Sequence, residues 1–276
     1  MVEILKVLAI ALAVLVLTAC ALQERLIFFR QPPAPAPRVD SPASLHEIAL
    51  QGADGTKLFG WFVREQEGRA PLVIYFGGNA EEISWFIGEA KQLAGRSVLS
   101  VNYRGYGRSE GDPGEKALFA DALAVFDAAA ARADVDAHKI VLMGRSLGSG
   151  VAVYVASQRP VAGLVLVTPF DSLVEVGADH YPFLPVRWLL RHRFDSLSLA
   201  PSIKSPVLMI AAGRDSIVPA RHARRLYEAW GGPHEWLELP GAGHNDVDAH
   251  PEYWNSIRNF LDQLLGKVPR ARRQDT

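Results

Sequence analysis

Cysteine is almost absent from this chain. Its 276 residues include a single cysteine, Cys20, so an intramolecular disulfide is excluded. An excess of charge of one sign is also lacking, since 29 lysines and arginines face 30 aspartates and glutamates and leave a formal charge of −1. That balance gives no reason to expect a nucleic-acid partner. No repeat period is present in the sequence, which argues against a solenoid or a propeller.

Apolar residues are plentiful and follow a regular order. They make up 49% of the chain, which is enough for one sizeable core in a single large α/β domain. Eight strand-like runs occur, at Leu45–Leu50, Leu58–Val63, Leu72–Phe76, Val98–Asn102, Ile140–Met143, Leu164–Thr168, Val207–Ala212 and Glu235–Leu239. Helical patterns occur at Glu81–Leu93, Glu115–Arg132, Ser149–Ser157, Ala220–Trp230 and Pro251–Leu265. The alternation predicts a mostly parallel eight-stranded sheet with helices on both faces, and an antiparallel edge where the first two runs have no helix between them.

Long hydrophobic runs are scarce, and the longest uninterrupted one lies at the N-terminus. Val7–Leu17 follows Lys6, and its eleven residues fall short of the roughly 20 that span a membrane. The run is typical of a signal-peptide core, and the segment that ends at Cys20 resembles a bacterial lipobox. We therefore predict lipid attachment at Cys20 and a membrane-tethered location in the cell envelope. An uncleaved signal anchor from about residue 4 to residue 22 is the alternative.

Composition predicts how the rest of the chain is divided. Residues 1–20 form the signal peptide or anchor, and the proline-rich segment 21–43 is expected to be an extended linker. An α/β domain should occupy 44–266, followed by a basic tail at 267–276. The gap between the sixth and seventh strands is long and aromatic, so residues of about 171–200 are predicted to form a short lid. A pair of helices packed as core is equally compatible with that gap.

The nucleophile is predicted from the segment Gly144–Gly148. It joins an apolar strand to a small-residue helix and places Ser146 at the apex of a sharp turn. Such a turn exposes the serine hydroxyl beyond the sheet, and its glycines let strand and helix approach closely. We expect Ser146 to act as a nucleophile.

A serine hydroxyl needs a base, and that base needs an orienting acid. His244 lies in a glycine-rich loop after the eighth strand, where chemistry gathers in open α/β sheets. Asp215 follows the seventh strand and is the predicted acid, and Asp171, which follows the sixth strand, is its rival. Five other histidines are predicted to lie at the surface, namely His46, His138, His222, His234 and His250.

Two backbone amides are needed to stabilise a developing oxyanion. The amide of Leu147, directly after the serine, is the first candidate. The second is the amide of Asn79, in the glycine-rich loop that follows the third strand. A plain glycine turn would have the same residues.

Four blocks together resemble the α/β-hydrolase fold, and more narrowly its Bem46-like branch with the ABHD13- and ABHD17-type serine hydrolases. The blocks are Phe76–Ala80, Asn102–Gly111, Gly144–Gly148, and Gly213–Pro219 with Gly243-His244. The resemblance covers about residues 40–265. It implies a nucleophile, an acid and a base at Ser146, Asp215 and His244, and activity on esters or thioesters. The family often carries an N-terminal hydrophobic anchor.

The sequence departs from the family pattern at two positions. Gly77 stands where the family usually has a histidine, and Asn102 stands where many relatives have an aspartate. Neither change removes a backbone donor or a predicted catalytic group.

The function expected from the sequence is hydrolysis of a carboxyl ester or thioester through an acyl-enzyme. The chain is expected to act as a monomer on a small-molecule or lipid-like acyl substrate, with no metal and no organic cofactor. A peptidase or acyltransferase that uses the same three residues is the enzymatic alternative. A non-catalytic binding protein of the envelope is the alternative from another class.

Overall fold

One eight-stranded sheet organises the part of the chain that the structure describes. The structure is a computed structural model, and it describes residues 2–4, 6, 7, 10, 14, 18, 23–25, 27–39, 44–65, 68–93 and 95–267. The strands are β1 (Leu45–Gln51), β2 (Lys57–Val63), β3 (Ala70–Phe76), β4 (Ser97–Val101), β5 (Val135–Arg145), β6 (Gly163–Val167), β7 (Val207–Ala212) and β8 (His234–Leu239). The predicted lipidation site Cys20 and the predicted tail beyond Lys267 lie outside the described residues.

The strands follow the order β1-β2-β4-β3-β5-β6-β7-β8 across the sheet. Strands β3 to β8 run parallel to one another, and β1 pairs antiparallel with β2. The predicted sheet and its antiparallel edge are therefore confirmed. The structure adds a second antiparallel pairing, because β2 neighbours β4 rather than β3. The carboxyl ends of the parallel strands consequently meet at one edge, where sites in such sheets form.

Eight α-helices lie between residue 44 and residue 267 in the described part of the chain. They are α1 (Ser84–Gly88), α2 (Glu115–Ala130), α3 (Leu147–Gln158), α4 (Leu173–His180), α5 (Val186–Leu189), α6 (Ser196–Leu199), α7 (Ala220–Glu228) and α8 (Pro251–Leu265). The single helix predicted over Glu81–Leu93 is wrong, because a short α1 is followed there by a 3₁₀ turn. The carboxylates of Glu81 and Glu82 accept hydrogen bonds from nearby loop amides, which keeps both residues outside the helix.

Alternating strand residues build a core on each face of the sheet. Leu142 of β5 packs in the core beneath α2 and α3, whereas its neighbour Met143 packs in the core on the opposite face, beneath α1 and α8. This period of two is what buries both sides of a central parallel strand. The burial fixes the strand ends, and therefore the loops that carry the site.

The 171–200 insertion leaves the sheet after β6 and returns before β7. It holds three short helices, α4, α5 and α6. Phe194 is buried in the core beneath the insertion, whereas Phe183 and Trp188 are exposed. The segment is thus attached to the domain at its two ends and exposes aromatic rings between them. Among the described residues, no helix is both long enough and apolar enough to cross a membrane.

Candidate active site

Ser146 sits on a strained turn between β5 and α3. Its φ of 50° and ψ of −117° lie in a region that non-glycine residues rarely adopt, at a cost of about 1–3 kcal/mol. The Ser146 amide donates to the carbonyl of Val167 at 2.9 Å, which ties the turn to β6. A Cβ at Gly148 would overlap the carbonyl oxygen of Phe76, and one at Gly144 would overlap that of Gly148. Close packing therefore requires both glycines and keeps the serine at the sheet edge.

The structure brings Ser146, His244 and Asp215 into one hydrogen-bonded line. His244 Nε2 lies 2.9 Å from Ser146 Oγ, and His244 Nδ1 lies 2.6 Å from Asp215 Oδ2. With the Nδ1 proton directed at the carboxylate, Nε2 is left to accept the serine proton. The arrangement can therefore activate the hydroxyl for attack on an acyl carbon.

Asp215 is held by its own loop. It follows β7 directly, and its Oδ1 accepts hydrogen bonds from the amides of Ile217 at 2.8 Å and Val218 at 2.7 Å. An aspartate that bonds backbone amides two and three residues onward is the usual device of a tight turn. The second oxygen then faces His244 in a fixed orientation.

The rival acid Asp171 lies in a different, sealed cluster. It is fully buried after β6, and its oxygens contact His222 Nδ1 at 2.8 Å, Arg225 Nη1 at 3.1 Å and the Ser172 amide at 2.6 Å. Burial alone would raise the pKa of Asp171, but the hydrogen bonds from His222, the Ser172 amide and Arg225 hold that pKa below its usual range. Asp171 therefore orients His222 and not His244.

The prediction that His222 lies at the surface is wrong. Its ring is fully buried, and Nε2 lies 2.8 Å from Asp179 Oδ2 on α4. The inward face of α7 consists of His222, Ala223 and Leu226, and its arginines point outward or sideways. The i, i+4 spacing of His222 and Leu226 was a signal of that face.

The candidate oxyanion loop, residues 77–80, lies beside the serine. A Cβ at Gly78 would stand 3.7 Å from Ser146 Cβ. The amides of Leu147 and Asn79 donate no hydrogen bond to any group in the described part of the chain. Both predicted donors are therefore available to a bound oxyanion.

Glu81 braces this loop, a role that sequence reasoning missed. One oxygen accepts from the Gly78 amide at 2.8 Å, and the other accepts from Tyr75 Oη at 2.7 Å and Trp85 Nε1 at 2.8 Å. Where Gly77 replaces the histidine usual in the family, these bonds supply rigidity from a neighbouring residue. Asn102, the other departure, is buried and bonds the Ile83 amide and Glu82, so its role is structural.

Arg145, the variable residue of the serine turn, joins the two halves of the site. Its Nη2 donates to the carbonyl of His244 at 3.2 Å, and its Nη1 lies 3.9 Å from Glu81. Its guanidinium also stands 5.7 Å from the ring centroid of Trp85. The arginine thus links the histidine loop to the residue that braces the oxyanion loop.

A segment that we call the N-terminal strap, residues 23–25 and 27–31, also reaches the site. The Asn79 side chain donates from Nδ2 to the carbonyl of Ile27, and its Oδ1 accepts from the Phe29 amide at 3.0 Å and Tyr106 Oη at 2.9 Å. The strap continues along the domain, where Arg30 pairs with Asp112 at 2.6 Å. These residues were expected to belong to a linker, and instead they are attached to the oxyanion loop.

The strap also contacts the 171–200 insertion. Gln23 donates to the carbonyl of Leu189 at 3.4 Å and accepts from the Arg191 amide at 2.9 Å. Phe28 is buried, and its ring centroid lies 5.1 Å from that of His192. Burial lowers the pKa of His192, so this ring is neutral beside the strap. The apolar residues just before the proline run were the available signal for this packing.

Comparison with known proteins agrees with this architecture. The family described as alpha/beta hydrolase fold matches residues 71–198. An uncharacterised protein of Mycobacterium tuberculosis is 42% identical over 253 residues, which cover 89% of this chain and 90% of that protein. The alpha/beta hydrolase domain-containing protein WAV2 of Arabidopsis thaliana is 28% identical over an alignment that covers 93% of this chain and 92% of WAV2. This chain belongs to the α/β-hydrolase family.

Further likenesses extend the family assignment. An uncharacterised membrane protein of Saccharomyces cerevisiae is 33% identical over 252 residues, which cover 87% of this hydrolase and 88% of the yeast protein. Among solved structures, an esterase of Pyrococcus furiosus aligns with a TM-score of 0.70 at 20% identity, covering 87% of this hydrolase and 98% of the esterase. The acetyl xylan esterase of Paenibacillus sp. R4 has a TM-score of 0.68 at 23% identity, with 83% and 87% covered. At such identities the structural likeness shows the fold.

Proposed function

We propose that this hydrolase cleaves carboxyl-ester or thioester bonds through an acyl-enzyme on Ser146. The observation that carries the proposal is the continuous line from Ser146 Oγ through His244 to Asp215, with distances of 2.9 Å and 2.6 Å. These lie within the range over which a proton is transferred directly between heavy atoms.

The reaction would proceed in two halves. Ser146 Oγ attacks the acyl carbon while His244 Nε2 takes the hydroxyl proton, and the resulting imidazolium is stabilised by Asp215. The same proton passes to the leaving alcohol or thiol as its bond to carbon breaks. Water then attacks the acyl-serine, gives its proton to His244 and releases the carboxylic acid, and His244 returns the proton to Ser146.

The oxyanion formed in each half would lie between the amides of Leu147 and Asn79. The amide of Leu147 belongs to the first residue of α3, so the positive end of that helix adds to the stabilisation. Two preorganised donors in a partly buried site are worth more than the same donors in water. The brace from Glu81 keeps the second donor in place.

We further propose that the enzyme is attached to a membrane, by lipid on Cys20 or by an uncleaved signal anchor. The apolar run Val7–Leu17 supports attachment, as does the name of the yeast relative, a membrane protein. The substrate class that fits this location is a small or lipid-like acyl ester. Intact-mass analysis separates the two anchors, because a lipoprotein starts at Cys20 and a signal anchor keeps Met1.

Covalent labelling tests the proposed chemistry. A fluorophosphonate should label the wild-type protein at Ser146 alone, and Ser146→Ala should abolish labelling and turnover of nitrophenyl esters. Ser157→Ala is the matched control, because Ser157 lies on the same helix and its hydroxyl bonds only its near neighbours, donating to the carbonyl of Tyr154 and accepting from Gln158 Nε2. Paired oxygen and thiol esters of one acyl chain then rank the two bond types. Labelling at another residue would refute the assignment.

A further inference from the structure

Five large apolar side chains of the described domain are exposed to solvent. Between residue 27 and residue 267, the described large hydrophobic residues with exposed side chains are Phe29, Tyr181, Phe183, Trp188 and Ile217. Trp188 is 90% exposed and Phe183 is 78% exposed. Aromatic residues of this size expose an area of roughly 150–250 Å² that burial would remove from water. We call these five residues the apolar rim.

Contacts place the rim beside Ser146, His244 and Asp215. The amide of Phe29 bonds the side chain of Asn79 in the oxyanion loop, and the amide of Ile217 bonds the carboxylate of Asp215. On α4, His180 Nε2 lies 2.8 Å from the carbonyl of Ile217.

The aromatic part of the rim continues from that point. The ring centroid of Tyr181 lies 6.4 Å from that of His180, and Phe183 lies 6.4 Å from Tyr181. Trp188 follows on α5, immediately before Leu189, which bonds the strap. The rim therefore runs from the oxyanion loop and the acid loop out along the 171–200 insertion.

The stretch that carries Phe183 and Trp188 is rich in arginine. Residues 181–194 contain Arg187, Arg191 and Arg193 and no acidic residue, and all three arginines are exposed. Arg187 pairs with Glu175 at 2.7 Å. Aromatic rings beside arginines suit the boundary between anionic lipid headgroups and acyl chains.

The strap limits how far the rim can lie from a membrane. Gln23 bonds Leu189 at the end of α5 and Arg191 just beyond it, and it lies six positions after Leu17, where the apolar run ends. Six residues span at most roughly 20 Å. If residues 7–17 lie in the bilayer, the rim is therefore held at the headgroup layer.

We propose that the apolar rim rests on an anionic bilayer surface, so that acyl substrates enter the site directly from the lipid. This inference rests on the proposed membrane attachment and deepens the proposed esterase function by naming the phase that delivers the substrate. Insertion of the rim would also cover the exposed side chains of Phe183 and Trp188.

Depth-dependent quenching in vesicles tests the docking without any turnover. The full-length chain with Cys20→Ser and Ser146→Ala takes one fluorescent label at Phe183→Cys, or at Gln158→Cys as the control, since α3 carries Gln158 about 18 Å from the serine turn. In phosphatidylglycerol-containing vesicles, the label at 183 should be quenched by lipids spin-labelled near the headgroup and protected from iodide. The label at 158 should remain open to iodide. Equal iodide access at both positions, or mutual quenching of labelled copies without lipid quenching, would overturn the proposal.

A kinetic ratio provides the second test. Trp188→Ser should lower the ratio of hydrolysis of a vesicle-borne ester to that of a short soluble ester by on the order of tenfold, and Trp188→Phe should restore it. Absence of hydrolysis on both substrates, with the label at 183 still quenched by lipid, would refute the proposed esterase function and leave the docking intact. An unchanged ratio in Trp188→Ser would overturn the docking.

Discussion

Two aspartate–histidine pairs stand side by side at the carboxyl edge of the sheet, and only one of them reaches a nucleophile. Asp215 and His244 follow β7 and β8, whereas Asp171 follows β6 and His222 lies on α7. Both pairs join a carboxylate to Nδ1, at 2.6 Å and 2.8 Å. They differ at the other ring nitrogen, where His244 faces Ser146 and His222 faces Asp179.

That difference separates a site from a structural cluster. A base must exchange its proton with a reacting group, and a ring enclosed by two carboxylates and an arginine has no such group within reach. The second pair instead joins β6, α4 and α7. Identical residue types thus form the proposed catalytic pair in one loop and a structural cluster in the next, and the neighbour of the second ring nitrogen distinguishes them.

The largest expected difference in turnover is between substitutions of the two histidines. His244→Ala should lower turnover by on the order of 10⁶-fold, because the serine loses its base and the three residues act as a unit. His222→Ala should keep turnover in the folded fraction within about tenfold, since its ring contacts no reacting group. Turnover of a nitrophenyl ester by variants matched for folded content measures both. Equal losses of turnover in the two variants would contradict the distinct roles assigned to His244 and His222.

The second-largest difference in turnover is expected between substitutions of the two aspartates. Asp215→Asn should cost on the order of 10⁴-fold in turnover, because the amide favours the wrong tautomer of His244. Asp171→Asn should cost little, since Asp171 bonds His222 instead. A reversed order of these two variants would move the acid to β6.

The pair formed by Asp215 and His244 lies beside a feature that the pair formed by Asp171 and His222 lacks, namely the oxyanion loop that Glu81 braces. Asn79→Ala removes four side-chain bonds, those to Ile27, Phe29 and Tyr106 and the one from the amide of Ala80. Misplacement of the Asn79 amide should lower kcat by about 10- to 100-fold with little change in KM. Asn79→Asp retains the Oδ1 acceptor, although it loses the Nδ2 donor, and should recover part of kcat. A change in KM alone would show that the side chain binds substrate and does not position the loop.

The smallest effect on activity comes with an effect on stability. Breaking a buried charged pair costs about 3–5 kcal/mol in the free energy of unfolding, so Asp171→Asn should destabilise the fold. Because Arg225 is half exposed, we expect a loss near the lower end, about 3 kcal/mol. The pKa of Asp171 is lowered in the folded protein, so its contribution is complete above the unfolded pKa and is lost as pH falls through the folded value. The midpoint temperature of the wild type should therefore drop below about pH 4, and that of Asp171→Asn should drop less. Calorimetry from pH 7 to pH 3 compares the two slopes.

The sequence was sufficient for what depends on local chemistry. The glycines at 144 and 148 indicated the serine turn, and the strand ends located Asp215 and His244, because parallel strands place their carboxyl ends together. The strand order was only partly predictable, since nothing local to β3 or β4 says which of them neighbours β2.

Features that depend on distant contacts were missed. The arginines of α7 favoured an exposed helix, although the spacing of His222 and Leu226 indicated a buried face. The strap binds Asn79 and Leu189, which lie 52 and 166 residues away in sequence from their partners. A segment that packs through such contacts resembles a linker in its own composition.

The strap also bears on the order in which the molecule can be completed. Gln23 leaves the ribosome well before its partner Leu189, which is made 166 residues later. At typical rates of synthesis the delay is roughly 8 to 33 seconds. During that interval Phe28 has neither His192 nor Phe194 to cover it. The strap is therefore made early but can reach its final position only after residues 189–194 have emerged.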